Sequence, residues 1–234
     1  MKTFWIAPSV RNCYKNALAL LGDSEKFTIN AAKGEFVSLQ LCFRNHISVK
    51  SDNDIRKHIV TIKGVEITQS QGKEYDISSV RVGCQEYFSF GDGIEYPEPI
   101  SNKFVPLEVL PNTTRTIWLT FPVDELAEAG EYVFDVRVDA NYKEEIKGEI
   151  TLKVYDVQIP PSYLGNYSVE HFTSPDYSEV FENLSYGFKV YDDKWWSFME
   201  EYARSLRECR SNIYRIYPLH LLGASGSKRV SENE

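Results

Sequence analysis

The chain has 234 residues, 42% hydrophobic, and a formal net charge of −8, so it can bury a core as one large domain or two small ones. The acidic balance argues against nucleic acid as a partner, because Lys and Arg are scattered and no basic run exceeds a pair such as Lys228-Arg229. No apolar stretch approaches the roughly 18 residues of a spanning helix, so no helical membrane span is expected.

The opening "MKTFWIAPSVRN" has only a short apolar run before Pro8. That is less than the apolar core of about 7 residues or more in a secretory signal, so a cytoplasmic location is expected. Cys13, Cys42, Cys84 and Cys209 form no CxxC pair and read as small apolar residues or free thiols rather than a disulfide framework. Residues 14–22, "YKNALALLG", suit either a short strand or a helical turn.

Alternating runs then follow one another. "KFTINAA" precedes "GEFVSLQLCF", whose apolar set is Phe36, Leu39, Leu41 and Phe43. "HIVTIKGVEI" sets Ile59, Thr61 and Lys63 against Val60, Ile62 and Gly64, and "SVRVGCQEYFSF" puts Val80, Val82 and Cys84 on one parity. "FGDGIEYPEP" runs into Pro97 and Pro99 and opens no helix. It is therefore a loop and not a phosphate cradle. "TRTIWLTF", "GEYVFDVRVDA" and "IKGEITLKVYDV" complete the set, with Gly130 turning the chain ahead of the second. The pattern is mainly β, and it predicts an antiparallel immunoglobulin-like β-sandwich over residues 1–160. Fifteen Tyr and four Trp suit pleated faces; stacking on a sugar ring is the less common use.

Past Pro160-Pro161 the pattern changes. "YLGNYSVEHF" (163–172) predicts a strand, and "DDKWWSFMEEYARSLRECRSN" (192–212) predicts a helix capped by Asp192 or Asp193. Trp195, Phe198, Met199, Tyr202, Leu206 and Cys209 recur at helical spacing. "IYRIYPLHLL" (213–222) predicts a second strand. Strand, helix and strand make a β-α-β unit, so residues 161–234 are expected to be the first β-α-β unit of a truncated (β/α)8 barrel. Two parallel strands under one helix leave an open edge and a bare face. A chain that is part of a longer protein, with a tendency to self-associate through this unit, is therefore expected.

Little in the chain carries chemistry by spacing. His46, His58, His171 and His220 are isolated, and GxSxG, Walker and GxGxxG patterns do not occur. Neither a metal nor a cofactor is expected. Glu170 and His171 fall near the end of the first barrel strand, and Tyr217 and His220 near the end of the second. Barrel active sites are built at such ends. The four residues therefore either line a sugar pocket or hydrogen-bond the barrel rim.

Four segments in order carry a resemblance: "AAKGEFVSLQL" (31–41), "YPEPI" (96–100), "LPNTTRTIWLTFPVDELAEAGEYVFDVRV" (110–138) and "LKVYDVQIPPS" (152–162). Together they resemble the N-terminal region of glycoside hydrolase family 123 and its uncharacterised relatives. Those proteins open with a β-sandwich bearing a YPDPL-like loop and continue into a (β/α)8 barrel. Glu98 stands where the family usually has Asp, and Phe134 where it often has Gly. The resemblance implies hydrolysis of β-linked N-acetylhexosaminides, with an N-acetylated aminosugar glycan as the partner. It also implies a substrate-assisted mechanism in which the 2-acetamido group attacks the anomeric carbon beside an adjacent Asp-Glu pair. No position here matches that pair, so no catalytic residue is carried over and the chain alone is expected to be inactive. The alternative is a non-catalytic module, either sugar-binding or a structural sandwich with Trp118 at a domain interface.

Overall fold

The computed structural model describes residues 2–49, 51–89, 91, 93–98, 100, 101, 103–160, 192–208 and 211. The chain divides into two compact units, Met1–Ile159 and Pro160–Glu234.

The first unit is mainly β. One five-stranded sheet runs in the order β1 (Phe4–Pro8), β3 (Phe36–Arg44), β10 (Thr114–Pro122), β5 (Arg81–Gln85), β8 (Ile100–Ser101). Its neighbours are all antiparallel. A second runs β2 (Lys26–Lys33), β12 (Ile146–Gln158), β11 (Gly130–Ala140), β4 (Val60–Gln71), β9 (Leu107–Val109). A two-stranded hairpin, β6 (Phe88–Ser89) with β7 (Glu95–Tyr96), and the short helix α1 (Asp52–Ile55) complete the unit. The loop expected at "FGDGIEYPEP" thus begins between two short paired strands.

Period-2 alternation builds the core. Tyr132, Phe134, Val136 and Val138 of β11 are buried, while Asp135 and Arg137 between them, and Glu131 before them, are exposed. Opposite them, Ile117, Leu119 and Phe121 of β10 and Leu39, Leu41 and Phe43 of β3 join one cluster with Ile150 and Leu152 of β12. Phe36 departs from the sequence expectation. It stands on the parity opposite to Val37, Leu39, Leu41 and Phe43 and is half exposed, with the Arg81 guanidinium 5.1 Å from its ring centroid. Trp118 lies on the outer parity of β10 and is half-buried.

One strand pair breaks the antiparallel rule. β2 and β12 run parallel, Lys26 opposite Glu149 through Ala32 opposite Tyr155. β2 does not hairpin into β3. At Gly34 the backbone takes φ +79°, which suits glycine, and the chain crosses to the other sheet. The edge of β2 is filled only after the chain has traversed both sheets, a connection long enough for either direction.

A second apolar layer lies outside the first sheet. Trp5 and Ala7 of β1 and Cys42 of β3 point away from the main core, and Cys13 and Ala19 pack against them. Residues 9–24 form this cover, a strap of turns that is neither strand nor helix apart from a single bridge between Ser24 and Ile6. The sheet supplies the hydrogen bonds the strap cannot make itself. Gln40 Nε2 donates to the carbonyls of Pro8 at 2.8 Å and Arg11 at 2.7 Å. Thr114 Oγ1 donates to that of Ala17 at 2.7 Å, and Tyr87 Oη to that of Cys13 at 2.9 Å. Val10, Leu18, Leu20 and Leu21 stay exposed on the strap.

Arg11 Nη1 closes the strap on Asp23, 2.9 and 2.7 Å from its two carboxylate oxygens. Burial works to raise the Asp23 pKa, but the Arg11 hydrogen bond and the Leu20 amide outweigh it and hold the carboxyl below its usual range. A carboxyl depressed in the folded state stabilises fully above its unfolded pKa and stops doing so as pH falls through its folded value. Acid titration should therefore loosen the strap below about pH 4. Asp23→Asn should remove that acid-dependent step and cost on the order of 1–2 kcal/mol at neutral pH. Amide exchange of residues 9–24 followed across pH 2–6 checks both effects.

In the second unit, α2 (Asp193–Glu208) begins at Asp192, whose Oδ1 accepts from the Trp195 amide at 2.8 Å. Trp195 is buried, and Phe198, Met199, Tyr202 and Leu206 are half-buried, while the helical residues between them are exposed. The strands expected at 163–172 and 213–222, and Cys209, lie outside the described residues. Among the described residues no helix is long and apolar enough to cross a membrane.

Candidate functional site

A concavity of about 670 Å³ in the first unit lies where three turns meet at one end of the sheets. They are the β2–β3 corner at Gly34, the segment 72–79 after β4, and the loop 122–130 between β10 and β11. Backbone bonds knit two of them: Gly34 N to Val123 O at 2.9 Å and Val123 N to Glu35 O at 2.8 Å. Gly130, with φ +148°, starts β11.

The lining combines aromatics with carboxylates, including Tyr75, Tyr132, Phe36, Asp76, Asp124 and Glu128. Several of the carboxyl groups already serve local structure. Asp124 Oδ1 accepts from the Leu126 amide at 2.7 Å, and Asp76 Oδ1 from the Ser78 amide at 3.0 Å. These are Asx-type turns. Glu128 pairs with Lys73 at 3.1 Å. Tyr75 Oη donates to Pro122 O at 2.6 Å, and burial pushes its pKa up to about 12. Its ring meets Phe121, Tyr132 and Phe134 at centroid distances of 6.2, 6.0 and 5.2 Å. The Phe36 face carries Arg81. A sugar would therefore compete with the protein itself for these rings, and the groove serves to join the sheets at this end.

No group of three or more His, Cys, Asp or Glu among the described residues could hold a metal ion. His46 Nε2 lies 2.8 Å from the Lys2 carbonyl. Glu170, His171, Tyr217 and His220 all lie outside the described residues, so the structure places none of them. Sequence reasoning did not assemble the groove, because its lining comes from three turns far apart in the chain and the start of β11.

No family model matches the chain, and no curated protein matches it. Among solved structures, a family 123 glycoside hydrolase from Clostridium perfringens, described for glycolipid glycan hydrolysis, superposes with a TM-score of 0.67 at 13% identity. The match covers 90% of this chain but 37% of that enzyme, so the chain spans little more than a third of its length. The PapD-like domain 7 of human CEP192 aligns at a TM-score of 0.30 and 9% identity, covering 67% of this chain and 87% of that one. At that score the second match says nothing of ancestry. The first establishes a distant likeness of fold to a family 123 glycoside hydrolase.

Proposed function

We propose that this chain is the N-terminal portion of a glycoside hydrolase of the family 123 type, acting on β-linked N-acetylhexosaminides by a substrate-assisted mechanism. The first unit is its immunoglobulin-like sandwich, and the second is the start of its (β/α)8 barrel. The observation that carries this reading is the likeness in fold over 90% of the chain to a 37% portion of such an enzyme. The order of the four resembling segments supports it independently. Glu170, His171, Tyr217 and His220 are then rim residues at the first two barrel strands. The Asp-Glu pair has no matching position, so the chain alone does not hydrolyse. The sandwich supports the barrel mechanically. A purely sugar-binding module has less in its favour, since the rings of the groove pack on protein.

An antibody against the sandwich tests this reading in the native source. The expected result is a species well above 27.0 kDa that releases nitrophenol from an aryl N-acetyl-β-galactosaminide, while the 234-residue chain does not. A native species at 27.0 kDa, or a longer one inert on every aryl N-acetyl-β-hexosaminide, would sink it.

A further inference from the structure

We propose that Cys13 and Cys42 are a dithiol pair that a hydroperoxide closes to an intramolecular disulfide, locking the strap onto the first sheet. The two thiols come from different elements, one from the strap and one from the outer face of β3, and lie 29 positions apart in sequence. Their sulfurs are 3.5 Å from each other in a small layer walled by Trp5, Ala7 and Ala19. Both are free thiols and buried. Among the described residues no third His, Cys, Asp or Glu completes a metal set around them.

The surroundings make the two sulfurs unequal. The hydrogen bond from Cys42 holds the Cys13 thiol below its ordinary pKa, and Arg11 adds to this, while burial and then Cys13 push the Cys42 thiol up. Cys13 is thus the attacking group and Cys42 the resolving one. The Cys13 thiolate attacks a peroxide oxygen and the O–O bond breaks, giving a sulfenic acid and hydroxide. The Cys42 sulfur then attacks the Cys13 sulfur, the S–O bond breaks, and water leaves. Two electrons pass from the dithiol to the peroxide, which ends as two molecules of water for hydrogen peroxide.

Access comes from the strap. It has almost no strand or helix of its own, and it is held to the sheet by the side chains of Gln40, Arg44, Thr114 and Tyr87 and by one backbone bond, Thr114 N to Lys15 O. Local opening therefore exposes Cys13 without unfolding the sheets. Once closed, the bridge removes that opening.

The test treats the folded chain with hydrogen peroxide, quenches it with an alkylating reagent in denaturant, and maps the peptides. The expected product joins the Cys13 peptide to the Cys42 peptide, the linked pair two hydrogen atoms lighter than the two reduced peptides together, and leaves Cys84 and Cys209 alkylated. It should melt on the order of 5 °C higher, and a dithiol reductant should reverse the rise. In Cys42→Ser the sulfenic acid on Cys13 should persist and be trapped by dimedone. Refolding in a glutathione redox buffer forms the same bridge without any need for access to the folded state. Complete alkylation of both cysteines in both treatments, or a bridge to Cys84 or Cys209 instead, would overturn the proposal.

Discussion

Phe134→Ala should lower the unfolding free energy of the first unit by about 3–5 kcal/mol, and Phe134→Leu by about 1–2 kcal/mol. Phe134 is fully buried at the middle of β11, opposite Ile150 of β12 and Gln69 of β4. Its ring lies 5.2 Å from Phe121 of β10, in the other sheet, and 5.2 Å from Tyr75. Truncation would open a void between the sheets and unseat Tyr75, whose hydroxyl holds Pro122. Denaturant unfolding read by near-ultraviolet circular dichroism reports the change. A loss under about 1 kcal/mol would mean that the surrounding rings repack, and that the two sheets are not joined through this residue.

The second large effect is local. Gln40 is fully buried on the outer face of β3, and its amide bonds the carbonyls of Pro8 and Arg11. Gln40→Leu keeps the bulk but takes the side-chain donor from the Arg11 carbonyl, at about 1–3 kcal/mol if that carbonyl stays buried, and leaves the Pro8 carbonyl only the Arg11 amide. The strap should relieve this by opening, so alkylation of Cys13 in the native protein should accelerate at least about tenfold. The core under the sheet should keep its protection. If the unfolding midpoint fell while alkylation stayed unchanged, Gln40 would be supporting the sheet and not the strap.

The long strands were the legible part of the sequence. β10, β11 and β12 each bury one face, so alternation declares them. β1 escaped because Phe4, Trp5, Ile6 and Ala7 are all buried. One face meets the core and the other meets the strap, so no alternation remains to be read. The strap was ambiguous for a related reason: its partners lie on β3, β10 and the segment before β6, and no local pattern encodes them. Phe36 misled because an aromatic at the head of an apolar run looks like core, whereas the inward parity begins at Val37. The meeting of Cys13 with Cys42 is tertiary throughout. Of the candidate site, the sequence offered Glu170, His171, Tyr217 and His220 on barrel geometry alone, and the described residues bear on none of them.

The parallel pairing of β2 with β12 has a mechanical meaning. β12 leads out of the first unit, and Ile159 still bonds the carbonyl of Lys33 at the end of β2. A pull between Ser24 and the residues beyond Ile159 draws the two strands along each other. The ladder from Lys26–Glu149 to Ala32–Tyr155 then carries the load in shear, all its bonds at once, where an antiparallel hairpin pulled from its open end would unzip one bond at a time. Tension arriving from whatever follows the exit strand is met at the strongest loading direction that a sheet possesses.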